Sequence, residues 1–106
     1  MSSAALLRGS VWFADLNVGE KPVVIVSNNR RNGALDTVLG VRITTALKPD
    51  IASIVAIPEG ESLVGRVLCD DILVLSKPRF KRHVGGLSPR AMRMVDVGLK
   101  SALAIR

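Results

Sequence analysis

SPRAMRMVDVGLKSALAI, Ser88 to Ile105, is the stretch whose hydrophobic period turns helical. Met92, Val95, Leu99, Ala102 and Leu103 recur every three or four residues and so share one stripe of a helix. Ser88 is a good N-cap. Pro89 follows at the first helical position, where its missing N–H loses no bond. Gly98 costs a helix about 1 kcal/mol relative to alanine, which marks it as a point of close packing. The methionines read as core filler rather than as chemistry.

Everything upstream reads as strands and turns. Gly9 to Leu16 is a first strand, with VWF supplying β-propensity. NVGEKP is a turn, where Gly19 is free to take positive φ and Pro22 excludes helix. Val23 to Ser27 is apolar on both faces and is therefore expected in the middle of a sheet. NNRRNG reads as a loop, and Asp36 to Thr45 as a third strand ended by KPD. Ile51 to Ile57 is a fourth strand, and PEGES a turn. Val64 to Cys69, Ile72 to Leu75 and Val84 to Leu87 read as further short strands. Strands followed by one packed helix make an α+β domain spanning residues 1–106. Short strands joined by tight turns suit a small half-open barrel.

Composition narrows the function. Of 106 residues, 48% are hydrophobic, enough for a packed core. No apolar run reaches the roughly 18 residues that cross a bilayer. MSSAALLRGS has neither the basic start nor the apolar stretch of a signal peptide. A soluble, cytoplasmic protein without membrane contact is expected. Cys69 is the only cysteine, so it reads as a small buried hydrophobe rather than half of a disulfide. Fifteen Lys and Arg against nine Asp and Glu leave a net charge of +6, which suits a polyanion or an acidic protein as partner, or serves solubility alone. Three aromatic residues are too few for a multi-base stacking platform.

The common catalytic motifs are absent: no P-loop, no GxGxxG, no HExxH, no paired CxxC. His83 is the only histidine and lies inside a basic run, where it reads as a surface residue. Asp70 and Asp71 are adjacent, so on a strand they face opposite ways and do not converge on a metal. No metal or cofactor is expected. What remains is a cationic set with a few hydroxyls. Lys21 opens the second strand, Asn28, Arg30 and Arg31 follow its end, and Arg42 and Thr44 share a face of the third. Lys77 and Arg79, with Lys81 and Arg82, form a second cluster. Such a set either grips phosphates and stabilises a charged transition state, or is a solvated edge of positive charge.

RGSVWFADL, KPVVIVSNN, VRITT, VLCDDILVLSK and GGLSPRAMRMVDVGLKSAL follow one another in an order and spacing that resembles the MazF/PemK family of toxin endoribonucleases. The similarity runs from about Arg8 to Ile105. It implies an SH3-like half-open barrel with a C-terminal helix, the CcdB/PemK-type fold, assembled as a homodimer. It implies metal-independent, sequence-specific cleavage of single-stranded RNA, leaving 2′,3′-cyclic phosphate and 5′-hydroxyl ends. It also implies a cognate MazE-like antitoxin whose acidic tail covers the site.

By that resemblance Lys21 and Thr44 are the catalytic residues, and the surrounding polar and cationic set, Asn28, Arg30, Arg31, Arg42, Lys77 and Arg79, is expected to hold the RNA. Lys21 stands before Pro22, where the family has arginine. A lysine is a point charge and cannot grip a phosphate bidentately. Asp71 stands where the family has glutamine, and NVGEKP is shorter than the usual first loop. Two other readings compete: a CcdB-like toxin that binds DNA gyrase without catalysis, and a basic barrel that binds RNA without cutting it. Against the first, the chain lacks a Trp-Gly-Ile ending.

Overall fold

The computed structural model describes residues 5–106. Six strands form one antiparallel sheet: β1 (Ser10–Asp15), β2 (Glu20–Ile25), β3 (Thr37–Thr44), β4 (Ile54–Ala56), β5 (Arg66–Ser76) and β6 (Phe80–Gly86). Two helices accompany it, α1 (Asn29–Ala34) and α2 (Pro89–Leu103). The strand order is β4-β5-β3-β2-β1-β6, so the sheet stays open between β4 and β6. This is the expected α+β fold, a half-open rather than a closed barrel.

The apolar run of β2 explains its place. Val24 packs with Val11, Val41 and Val67 on the face covered by α2. Val23 and Ile25 point the other way, into a second cluster with Trp12, Val38, Leu75 and Phe80. A strand buried on both faces belongs in the interior, and β2 lies between β1 and β3. In the second cluster Trp12 meets Phe80 edge-on, with ring centroids 6.4 Å apart.

Helix α2 starts where its caps dictate. The Ser88 side chain accepts a hydrogen bond from the Ala91 N–H. Its buried stripe is Ala91, Met92, Val95 and Gly98. Gly98 is the close approach its sequence position suggests. A Cβ there would lie 2.5 Å from Val55 Cγ2 and 2.8 Å from Cys69 Sγ. The stripe ends early, because Leu103 is 55% exposed. Cys69 is buried under the helix, and its thiol is pushed up to about 11, first by burial and then by Asp70 and Asp96. It is an inert core residue.

Glu61 fastens the start of α2 from outside. Its carboxylate accepts from the Ser88 N–H at 2.8 Å and from the Ser88 hydroxyl at 2.6 Å. The Ser88 side-chain and backbone bonds hold its pKa below the ordinary 4.5. A depressed folded-state pKa means stability that is present above the unfolded value and lost as pH falls through the folded one. Glu61→Gln is therefore expected to flatten the acid limb. Between about pH 6 and pH 3, urea unfolding should show the wild type losing more stability than the variant.

Four sequence expectations need correction. NNRRNG is not a loop but contains α1. The Asn28 side chain accepts from the Arg31 N–H, and Asn32 is buried and donates to the Ser27 carbonyl at 3.0 Å. The stretches read as two strands, Val64–Cys69 and Ile72–Leu75, fall on one strand of 11 residues, Arg66–Ser76, which leaves out Val64 and Gly65. Its first part pairs with β4 and with Ile43–Thr44, its second with Thr37–Val41, and the register shifts between Val41 and Ile43. Strand β6 begins at Phe80 rather than Val84 and includes Lys81, Arg82 and His83, while Lys77 and Arg79 lie in the 3-10 turn just before it. The fourth strand is only Ile54–Ala56.

Candidate active site

Three of the residues singled out in the sequence converge. Lys21 faces Ala14 across β1, and Val23 pairs with Arg42, so Lys21 and Arg42 share one face of the sheet. Arg42 and Thr44 stand two apart on β3. All three line a cleft of about 330 Å³, walled by Phe13, Pro22, Leu63, Val64 and Val84. Thr44 Oγ1 accepts from the Ala46 N–H at 3.1 Å, which leaves its own proton available for donation. Gly65 makes room for the Thr44 backbone. Its φ is +128°, and a Cβ there would sit 2.6 Å from the Thr44 carbonyl oxygen.

Arg42 is the unusual member. Its Nε is buried and has no hydrogen-bond partner, the one such side-chain nitrogen or oxygen among the described residues. A buried polar group without a partner costs about 1–3 kcal/mol, more when charged. Arg42 also lines a second and larger groove of about 600 Å³, with Leu16, Val18, Asp71, Leu73 and Arg79. One guanidinium thus borders two concavities. The arrangement can hold a phosphate between a lysine, an arginine and a hydroxyl, and offer a neighbouring groove to whatever the phosphate is attached to.

The other candidates lie apart from this cleft. Along strand β2, Lys21 to Ile25 covers roughly 13 Å at about 3.3 Å per residue, so Asn28, Arg30 and Arg31 lie past its far end. Asn28 caps α1, and Arg31 donates to the Thr37 carbonyl at 2.9 Å and the Thr37 hydroxyl at 3.2 Å. Arg30 is exposed on α1. Lys77 lines a separate pocket with Asn29, Asn32 and Gly33. Arg79 stands in the larger groove, held by a bond from Nη1 to the Asp15 carbonyl at 2.9 Å. His83 is exposed, with its ring 5.0 Å from that of Trp12.

Sequence reasoning missed two features. Phe13 walls the cleft, and the Arg82 guanidinium sits 4.5 Å above its ring. Asp71 faces the groove beside Arg42. Period-two alternation along DDILVLS carried the second signal, since Asp71, Leu73 and Leu75 fall on one face.

Comparison with known proteins places this architecture. Residues 7–103 match the family model of the PemK-like, MazF-like toxins of type II toxin–antitoxin systems. The chain is 38% identical over 101 residues to Endoribonuclease MazF1 of Mycobacterium bovis, covering 95% of each. It superposes with a TM-score of 0.88 on a mycobacterial endoribonuclease solved in complex with its cognate antitoxin, at 37% identity, covering 94% of this chain and 96% of that one. A MazE–MazF complex from Deinococcus radiodurans has the same fold, with a TM-score of 0.76 at 20% identity. The chain belongs to the PemK/MazF family of type II toxin–antitoxin toxins.

Proposed function

We propose that the protein is the toxin of a type II toxin–antitoxin pair, an endoribonuclease that cuts single-stranded RNA in the Lys21–Arg42–Thr44 cleft. The observation that carries the site is the convergence of two cations, Lys21 and Arg42, and the Thr44 hydroxyl on one cleft. A phosphate in the cleft would offer acceptor oxygens to both cations and to the hydroxyl. The RNA's 2′-hydroxyl attacks the adjacent phosphorus, and the bond to the 5′-oxygen breaks. The products are a 2′,3′-cyclic phosphate and a 5′-hydroxyl. Lys21 serves the proton transfers as general acid or base and places positive charge beside the phosphorane. Thr44 donates to a non-bridging oxygen. Arg42 and Arg79 orient the strand.

A homodimer is the working assembly, and a MazE-like antitoxin with an acidic tail neutralises the cationic cleft. Relatives named as endoribonucleases, and one solved with its cognate antitoxin, support this reading. Among the described residues no helix is long and apolar enough to cross a membrane. A lone buried thiol suits the reducing cytoplasm, where the RNA is.

The test is incubation of the purified protein with a mixed-sequence single-stranded RNA in EDTA, with the new 5′ ends mapped. Discrete cuts bearing 5′-hydroxyls are expected. Intact RNA at every protein concentration would move the function to binding alone.

A further inference from the structure

The larger groove beside the cleft has a composition that phosphate binding does not explain. Its floor and walls include Leu16, Val18, Leu73 and Leu75, and its volume, about 600 Å³, lies in the ordinary range of ligand sites. Arg42 joins it to the cleft, so a nucleotide next to the scissile phosphate reaches it without a break in the strand. Asp71 is half-buried and lines it together with the cations Arg42 and Arg79. Among the described residues the one ion pair is Arg8–Asp96, so neither arginine forms an ion pair with Asp71.

A carboxylate repels phosphate, so a groove that only tracked the RNA backbone would be weakened by it. An ionised aspartate accepts hydrogen bonds and donates none. Its complement is a base edge rich in donors. Uracil, cytosine and adenine each present a single donor group on the Watson–Crick edge. Guanine presents two side by side, N1–H and the 2-amino group, matched to the two oxygens of one carboxylate. Without an aromatic residue in the groove, recognition falls to the edge rather than to stacking. We infer that this groove is a subsite for a guanine base of the RNA, with Asp71 accepting from N1–H and the 2-amino group. The inference rests on reading the Lys21–Thr44 cleft as the place where the strand is held.

The test uses short single-stranded 2′-deoxy oligonucleotides, which lack the attacking hydroxyl, with binding followed by fluorescence anisotropy. One guanine is moved along the sequence and replaced in turn by inosine, which lacks the 2-amino group. At one position the wild type is expected to bind guanine about tenfold more tightly than inosine. In Asp71→Asn that ratio should fall to near one. Equal binding of guanine and inosine by the wild type at every position overturns the subsite, whatever the variant does. So does an unchanged ratio in Asp71→Asn. A ratio that behaves as expected while RNA stays uncut removes the nuclease reading and leaves the subsite standing. Cut RNA with no such ratio does the reverse.

Discussion

Lys21→Ala is expected to cut RNA at least a hundredfold more slowly than the wild type, with a loss of about 10⁴-fold if proton transfer limits the rate. Two effects add at this position. The ammonium leaves the cleft, so in the proposed reaction the phosphorane would lose a nearby positive charge and the proton-transfer group together. Lys21→Arg separates them. It restores charge and adds bidentate grip, but a guanidinium does not give up a proton in the working pH range. Recovery in Lys21→Arg therefore assigns the role to charge, and continued loss assigns it to the proton. Thr44→Ala removes a donor to the non-bridging oxygen and should also lower the rate, with little change in RNA affinity. Lys21 is half-buried at the start of β2 rather than in the core, so both variants are expected to unfold within about 0.5 kcal/mol of the wild type. Wild-type cleavage by both alanine variants would place the reaction elsewhere.

Gly65→Ala is expected to be the most damaging change outside the cleft's own functional groups. At φ +128° an L-residue is strained by about 1–3 kcal/mol. The new methyl would also press on the Thr44 carbonyl, 2.6 Å from the ideal Cβ position. Backbone cannot step aside as a side-chain tip can, so Thr44 moves. A misplacement of about 1 Å in a reacting geometry costs on the order of 100-fold. Gly60→Ala is the control. Gly60 also has positive φ, at +92°, but nothing lies within 4 Å of its would-be Cβ. It should lose stability and keep its cleavage rate, measured by urea unfolding beside initial rates. Equal cleavage by Gly65→Ala and the wild type would mean that Thr44 does not need its present position.

The parts of the fold legible in the sequence are those where one physical signal dominates. Val23 to Val26 has no polar face, so it had to lie inside the sheet. Ser88 and Pro89 define a helix start with little ambiguity, and Gly98 is small because Cys69 and Val55 leave it no room. Helix α1 was hidden because Asn, Arg and Gly favour turns. What makes NNRRNG helical is a long-range fact, the burial of Asn32 beside Ser27, whose hydroxyl also accepts from the Leu39 N–H at 2.9 Å. The two aspartates disguised β5 as a pair of strands. They are tolerated because Asp70 faces solvent and Asp71 faces the groove.

The candidate site divides the same way. Strand period two was enough to bring Arg42 and Thr44 onto one face. Proximity in sequence misled for Asn28, Arg30 and Arg31, which follow β2 closely along the chain but at the end opposite Lys21. Arg31 is tied to Thr37, and Lys77 belongs to another pocket. No local pattern could show that Arg42 Nε would be left without a partner, because that depends on what the neighbouring strands do not supply.

In the proposed reaction the RNA's own 2′-hydroxyl is the nucleophile in the Lys21–Arg42–Thr44 cleft. Once a cleavage site is mapped, the most direct measurement is to replace only the nucleotide on its 5′ side by the 2′-deoxy form and repeat the incubation in EDTA. No cut is expected at that bond, with neighbouring sites and overall binding unaffected. A cut at the same bond and the same rate would mean an external nucleophile and would contradict the proposed reaction.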